Sequence, residues 1–401
     1  MSGAFGGRVP TLWHGTGVAR RMTKRLTAGR ETLVIADVAL PIASLVAGET
    51  RAVRVDASSV DATTVVAIAR EIAHRPPAVI VVIGGGSVLD AGKIAALAAA
   101  GEHVLDYVIG HASSAALTFV PDAPPPVDIV AVPTTLGTSS ETNSVGILTN
   151  EHGHRLLVGR ALTPRHAILD PYALATLAPR AVGEGVMEAF LRLAGASTSS
   201  RRSVRQHRDA VALGRALLES ATRDTSSAAG RLRLARLSAA TQRTAALRGP
   251  DPYSARHWYA ANEVAYHLQV RKMVATATII SAVWRRICAG DARWGDRDSL
   301  ELFWRGVACG TAVPHDPASG IAALIDSWGI PRAPRPTAAE IDRIATATER
   351  AWGDRHPMLR GLVADDFCDL LRDSDWSPRP VGGDRRLSTS LRGGETNGHE
   401  E

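Results

Sequence analysis

The chain has 401 residues and a formal net charge of +6, with 45% hydrophobic and 21% charged residues. That composition excludes wholesale disorder, collagen-like sequence and a disulfide-rich miniprotein, and the length suits two domains. No stretch of about 18 apolar residues lacks charges or glycine clusters, which excludes a membrane span, and the opening MSGAFGGRVPTLWHGTG lacks the apolar core of an export signal.

The elements alternate over the first 180 residues. Apolar runs at Thr32–Ala36, Ala52–Val55, Val79–Ile83 and Ile129–Val132 predict strands, and Val60–Ala73 and Ser87–Ala100 predict helices between them. Short buried strands alternating with helices predict an α/β domain with a parallel sheet over residues 1–180. His111–Asp128, with four prolines, reads as a loop. Beyond Pro179 strand signals vanish, and helical periodicity runs through Val182–Leu193, Val204–Glu219, Ala229–Leu247, Ser254–Val270 and Ala275–Cys288. Residues 181–376 are therefore expected to form an all-helical domain, and 377–401, rich in Gly, Ser, Pro and charge, a disordered tail.

Basic residues are distributed unevenly. Only three of the 46 are lysines, Lys24, Lys93 and Lys272. A GC-rich genome accounts for the arginine excess, yet each retained lysine marks a position where a compact amine able to lose a proton is of use. Residues 201–250 hold eleven arginines against Asp209, Glu219 and Asp224, which reads either as a solvated helical face or as a surface for an acidic partner such as an anionic peptide. No aromatic residue interleaves with these arginines, which argues against nucleic acid. The cysteines Cys288, Cys309 and Cys368 show no metal-ligand spacing and suit reduced thiols in a cytoplasm.

Two segments carry the chemistry. In AVIVVIGGGSVLDAGKIAALAAA, residues 78–100, a hydrophobic strand runs into Gly84, Gly85, Gly86 and Ser87 and then directly into a helix. Glycines let the backbone approach a ligand, and free amides at a helix start face an anion, so the loop suits a pyrophosphate. In AVPTTLGTSSETNSVGIL, residues 131–148, hydroxyl side chains including Thr134 and Thr135 surround Gly137 after a buried strand, where open α/β sheets bind their ligands. Asp37 closes the strand TLVIAD, where a carboxylate accepts hydrogen bonds from a ribose diol and repels a 2′-phosphate, favouring NAD(H) over NADP(H).

GGGSVLDAGK resembles the GGGSxxDxxK signature, and VPTTLGTSSE the VPTTxGTGSE signature, of the iron-containing alcohol dehydrogenase and dehydroquinate synthase-like superfamily. The resemblance runs over roughly residues 8–375. It implies that Gly85, Gly86 and Ser87 bind the cofactor pyrophosphate, that Thr134 and Thr135 contact the nucleotide and that Asp37 meets the adenosine ribose. Asp90 and Lys93 fall on the motif's acid and lysine, and Ser139 stands where glycine is usual.

The family's metal motifs are altered. A helix reading GMDALTHAIE supplies an aspartate and a histidine, and later HxxxHPL and HGxANA segments supply two more histidine ligands. Here Glu188 falls on the aspartate, Arg192 on the first histidine, Glu263 on the second and Lys272 on the last, while His267 takes the position of the non-ligand histidine. An arginine has no available lone pair for a metal. The expectation is an ion-pair cluster of Glu188, Arg192, Glu263 and Lys272 in place of a divalent metal. Lys272 and Arg192 then stabilise an alkoxide or hold a substrate carboxylate, and His267 relays the proton.

The chain is thereby expected to be an NAD-dependent alcohol dehydrogenase acting on a peptide or small hydroxy acid, in a family that often forms dimers. The lost ligands and cationic replacements also resemble the daptide-type dehydrogenases of ribosomal peptide biosynthesis. That resemblance implies oxidation of a precursor peptide's C-terminal threonine at its β-hydroxyl and loss of carbon dioxide to leave a ketone. Two alternatives stand beside it: a carbocycle-forming lyase that uses NAD transiently, and a non-catalytic scaffold.

Overall fold

The computed structural model describes residues 9–42, 45–46, 51–200, 202–247 and 251–379. Its strands are β1 (Thr11–His14), β2 (Thr32–Asp37), β3 (Arg51–Val55), β4 (Val79–Gly84), β5 (Leu117–Phe119), β6 (Asp128–Pro133), β7 (Val145–Asn150), β8 (Gly153–Val158) and β9 (His166–Leu169). Its helices in the first part are α1 (Val18–Thr27), α2 (Ala62–His74), α3 (Gly86–Ala95) and α4 (Glu102–Ser114). From residue 179 on they are α5 (Pro179–Ser197), α6 (Val204–Arg223), α7 (Ala228–Arg243), α8 (His257–Leu268), α9 (Lys272–Cys288), α10 (Arg297–Ala308), α11 (Pro317–Ser327), α12 (Ala338–Trp352) and α13 (Ala364–Arg372).

Six strands form one parallel sheet in the order β1-β9-β6-β4-β2-β3. Alternate residues of its central strands serve two cores. Leu33, Ile35, Ile80, Val82, Ile129 and Ala131 face the α2–α4 side, while Val34, Ala36, Val81, Ile83, Val130 and Val132 face the α1 side. Burial on both faces explains why these strands read as unbroken apolar runs. The register sets Ala36 beside Ile83 and Gly84 beside Pro133, so the ends of β2, β4 and β6 form one edge.

Several elements depart from the sequence reading. The span 111–128 holds the end of α4 and the whole of β5, which joins β8 and β7 in a second, three-stranded sheet. Strands β1, β5, β7, β8 and β9 are short or half exposed, and β7 and β8 alternate in burial, so none presents a long apolar run. Helices α10–α13 also went unread because capping residues and short loops, rather than composition, delimit them. Asp296, Asp316 and Thr337 each accept a bond from a backbone amide at their helix start. Part of the expected tail is ordered: the Ser377 amide donates to the Ala333 carbonyl at 3.0 Å and its carbonyl accepts from Arg335 N at 3.1 Å. Residues 380–401 lie outside the described residues.

The helical part shares one large core in which Phe190, Trp284, Trp304 and Trp352 are fully buried. The Trp304 ring sits edge-on to Trp284 at 5.5 Å between centroids and to Phe190 at 6.3 Å, geometries that aromatic quadrupoles favour. Helix α5, with Pro179 in its first turn, carries this core to the sheet. Gly185 permits the approach, because a Cβ there would lie 2.5 Å from Leu136 Cβ and 2.7 Å from its carbonyl oxygen. Among the described residues no helix is long and apolar enough to cross a membrane.

Candidate functional site

The two motif loops pack on each other at the carboxyl edge of the sheet. Gly85 is the N-cap of α3, and the Thr134 amide donates to the Gly84 carbonyl at 3.0 Å. A Cβ on Gly85 would lie 3.0 Å from Thr135 Cγ2, and one on Gly86 would lie 2.7 Å from Thr138 Cγ2. No larger residue fits, so the first amides of α3, with Ser87 beside them, stay free at a cradle lined by threonines. Asp37 ends β2 on the same edge and accepts a turn-closing bond from the Ala39 amide at 3.0 Å through Oδ1. Gly84, Gly85, Gly86, Ser87, Thr134, Thr135 and Asp37 are thus brought to one edge of the sheet.

Asp90 and Lys93 do other work. Lys93 is wholly buried, and its Nζ donates to the Ser140 carbonyl and Oγ at 3.0 and 2.8 Å, to Asn143 Oδ1 at 2.9 Å and to the Val145 carbonyl at 2.5 Å. Asp90 accepts from Ser140 Oγ at 2.5 Å and from the Ile147 amide at 3.0 Å. An ammonium has three protons, all engaged here, so the two side chains bind one motif to the other. Burial pushes the Lys93 amine below its ordinary range, with Asp90 opposing the shift.

Arg192 is also placed differently from expectation. Its guanidinium donates to the Gly137 carbonyl at 2.5 Å, the Thr138 carbonyl at 3.1 Å, Thr241 Oγ1 at 2.7 Å and Ser139 Oγ at 3.5 Å. Ser139 holds a left-handed φ of 51°, unfavourable for a residue with a Cβ, and its hydroxyl also meets Ser238 Oγ at 2.8 Å. Arg192 on α5 and Ser238 on α7 therefore hold a strained cofactor-edge loop, and four of the five guanidinium N–H groups are occupied. The arginine braces this loop.

Lys272 begins α9, and its Nζ stands 4.9 Å above the Trp258 ring centroid with no hydrogen-bond partner among the described residues. Burial lowers its pKa, opposed by the charges of Glu188 and Asp90 and helped by that of Arg192. Glu188 reaches the loop, since a Cβ on Gly137 would come within 2.9 Å of its Oε2. It makes no direct ion pair among the described residues, and burial raises its pKa against the longer-range pull of Arg192 and Lys272. Two histidines that the sequence reading passed over stand within the field of Lys272. Burial and this cation bring His257 down to about 3 and His154 to about 4, so both rings are neutral at pH 7. Neither lies in a recognisable motif, and only the packing of β8 and α8 brings them to the cleft.

The expected four-residue charge cluster is divided. Glu263 points elsewhere: Oε1 accepts from Trp352 Nε1 at 2.8 Å, and its charged neighbours are Arg155 and Arg350. His267 lies 3.8 Å from Glu263 and within the field of Arg343. The structure thus places His267 beside α12 instead of at the cleft with Lys272, and His154 and His257 take the near positions. Among the described residues no group of three or more His, Cys, Asp or Glu side chains is placed to hold a metal ion. Arg192 has no lone pair to offer a metal ion.

Glu263 gives a pH signature. Burial raises its pKa from 4.5 to about 7, so the unfolded state releases this proton first and stability falls as pH rises between those values. The interval corresponds to about 3 kcal/mol. Glu263→Gln keeps an acceptor for Trp352 and removes the titration. Its unfolding free energy relative to the parent should rise from pH 4.5 to 7 and then level off, whereas identical pH slopes in both proteins would refute the assignment.

Comparison with known proteins agrees with this architecture. Residues 10–171 match the iron-containing alcohol dehydrogenase family model. The chain is 38% identical over 190 residues to a phosphonoacetaldehyde reductase of Streptomyces viridochromogenes, covering 46% of this chain and 48% of that one. It is 40% identical over 96 residues to the human mitochondrial hydroxyacid-oxoacid transhydrogenase, covering 23% and 20%. These alignments span about half of the first relative and a fifth of the second. Among solved structures, the NADH-dependent butanol dehydrogenase A of Thermotoga maritima superposes with a TM-score of 0.75 at 17% identity, covering 91% of this chain and 97% of that one. An aldehyde reductase of E. coli superposes with a TM-score of 0.70 at 15% identity, covering 91% and 98%. Residues 10–171 carry the iron-containing alcohol dehydrogenase domain, and the chain, sheet and helical parts together, has the fold of that family.

Proposed function

We propose that the protein is a nicotinamide-dependent oxidoreductase that interconverts an alcohol and its aldehyde or ketone, with the ammonium of Lys272 in place of a metal. The observation that carries this reading is an unpartnered cationic amine beside Glu188, next to the loop that closes the glycine cradle. The relatives support it at the level of reaction, since their names denote reductases, dehydrogenases and a transhydrogenase.

The α3 amides with Ser87, Thr134 and Thr135 hold the pyrophosphate side of NAD(H), and Asp37 receives the ribose. Bound there, the dinucleotide supplies or accepts the hydride. Lys272 stabilises negative charge on the substrate oxygen, the task a divalent cation performs in metal-dependent enzymes. His154 is neutral at pH 7 and its Nδ1 meets Thr149 Oγ1 at 2.9 Å, so it serves as a hydrogen-bond partner on the proton's path, its pKa of about 4 being too low for the base itself. Arg192 keeps the loop in position.

A second reading takes the C-terminal threonine of an acidic precursor peptide as substrate. It is favoured by the exposed Arg205, Arg208 and Arg215 on α6 and Arg233, Arg236 and Arg243 on α7, none in an ion pair among the described residues. A threonine-ended peptide incubated with NAD should then lose two hydrogens and carbon dioxide by mass, and its C-terminal amide should not lose carbon dioxide.

NADH fluorescence titration and metal analysis test the main reading. The protein should bind NADH without stoichiometric iron or zinc. Gly86→Val, which drives a side chain into Thr138, should weaken binding at least 100-fold; unchanged affinity in that variant would remove the cradle from the mechanism.

A further inference from the structure

An ammonium has three N–H donors, and the reaction above uses one of them on the substrate oxygen. Among the described residues no acceptor takes any of the three in Lys272. Glu188 and Asp90 act on it by charge alone, without a hydrogen bond. A second unpartnered group lies nearby. His257 is 3% exposed and its Nε2 is buried without a partner; the ring leans on Trp258 with centroids 4.5 Å apart, the same indole whose centroid lies 4.9 Å from Lys272 Nζ. Arg192, the other nearby cation, is held by the loop carbonyls, whereas the N–H bonds of Lys272 are left without an acceptor. An ammonium without an acceptor calls for one, the buried imidazole donates to the same ligand when Nε2 carries its proton, and the ligand that completes the site brings anionic oxygens.

We propose that Lys272 and His257, set against Trp258, form a subsite for an anionic group of the substrate, a carboxylate or a phosphonate borne one or two carbons from the reacting carbon. The short spacing follows from the donor. All three N–H bonds of an ammonium diverge from one nitrogen, so the reacting oxygen and the anionic oxygens reach it together only when few bonds separate them. The subsite rests on the oxidoreductase reading and names its substrate class: short hydroxy acids, oxo acids or phosphonoaldehydes in preference to neutral alcohols and aldehydes.

The test compares propionaldehyde with glyoxylate and with 2-phosphonoacetaldehyde as NADH-linked substrates of the full chain. At least one anionic substrate should exceed propionaldehyde by 100-fold or more in kcat/KM, and the better of the two identifies the anion. Lys272→Met should reduce that preference below 10-fold, Lys272→Arg should retain part of it, and His257→Phe should fall between, all with NADH affinity and thermal unfolding close to the parent. An equal preference in Lys272→Met and the parent, or a parent with no preference, overturns the subsite. Calorimetric binding of malonate and methylphosphonate, which carry no reacting carbonyl, separates the two ideas. Binding to the parent that is lost in Lys272→Met upholds the subsite even if no aldehyde is reduced, and no binding, or equal binding to both, overturns it. Failure to bind NADH overturns the oxidoreductase reading alone.

Discussion

Lys93→Met is expected to cost about 3–5 kcal/mol of stability, the range for removing one partner from a buried charged network. Methionine fills the volume of the side chain and donates nothing. It leaves Asp90 buried without its cation and removes the donor from the Ser140 and Val145 carbonyls and from Asn143 Oδ1. Denaturant unfolding of parent and variant measures the loss. The same experiment separates two roles for this lysine. A residue that only contacts the cofactor would leave the unfolding midpoint of the nucleotide-free protein unchanged. A fall below about 1 kcal/mol, the net worth of a single ordinary hydrogen bond, contradicts the bracing role.

Arg192→Ala should act on cofactor affinity more than on turnover. The arginine donates to Gly137, Thr138, Ser139 and Thr241, and charged hydrogen bonds of this kind contribute about 1.5–3 kcal/mol each when made in place of water. Their loss frees Ser139 from its left-handed backbone and lets the loop leave the edge of the cradle. KM for NADH should rise on the order of 10- to 100-fold with a smaller change in kcat, as expected when an interaction common to ground and transition states is removed. Were Arg192 the substrate anchor, KM for the aldehyde would rise and that for NADH would stay. Steady-state kinetics with each component varied in turn decide between them.

Parts of this protein were legible from local pattern alone. Val79–Ile83 followed by Gly84–Ser87 specifies a buried strand running into a helix with free amides, since only strand-forming residues fill the first segment and only glycines allow the turn. Strands β2, β3, β4 and β6 and the first five helices of the second part are likewise legible from pattern. The hairpin of β7 and β8 was not, because half its residues face outward and its stability comes from the packing of α3, α8 and β5 against it.

The site divides in the same way. The glycines and threonines of the cradle stand in local motifs, and residue type alone denies a metal the lone pair of a histidine at Arg192. It did not reveal direction. Arg192 and Lys272 are both cations on vacated ligand positions, yet one turns its N–H groups into loop carbonyls and the other leaves its amine without an acceptor. Glu263 and His267 share a helix with His257, yet they face α12 and its arginines while His257 faces Lys272. Of the lysines, the sequence marked 93 and 272 as exceptions in an arginine-rich chain, and the tertiary structure gave them opposite tasks. Most hydrogen-bond partners of Lys93 come from a segment some 50 residues away, and only the packed chain determines whether an amine finds five oxygens or none.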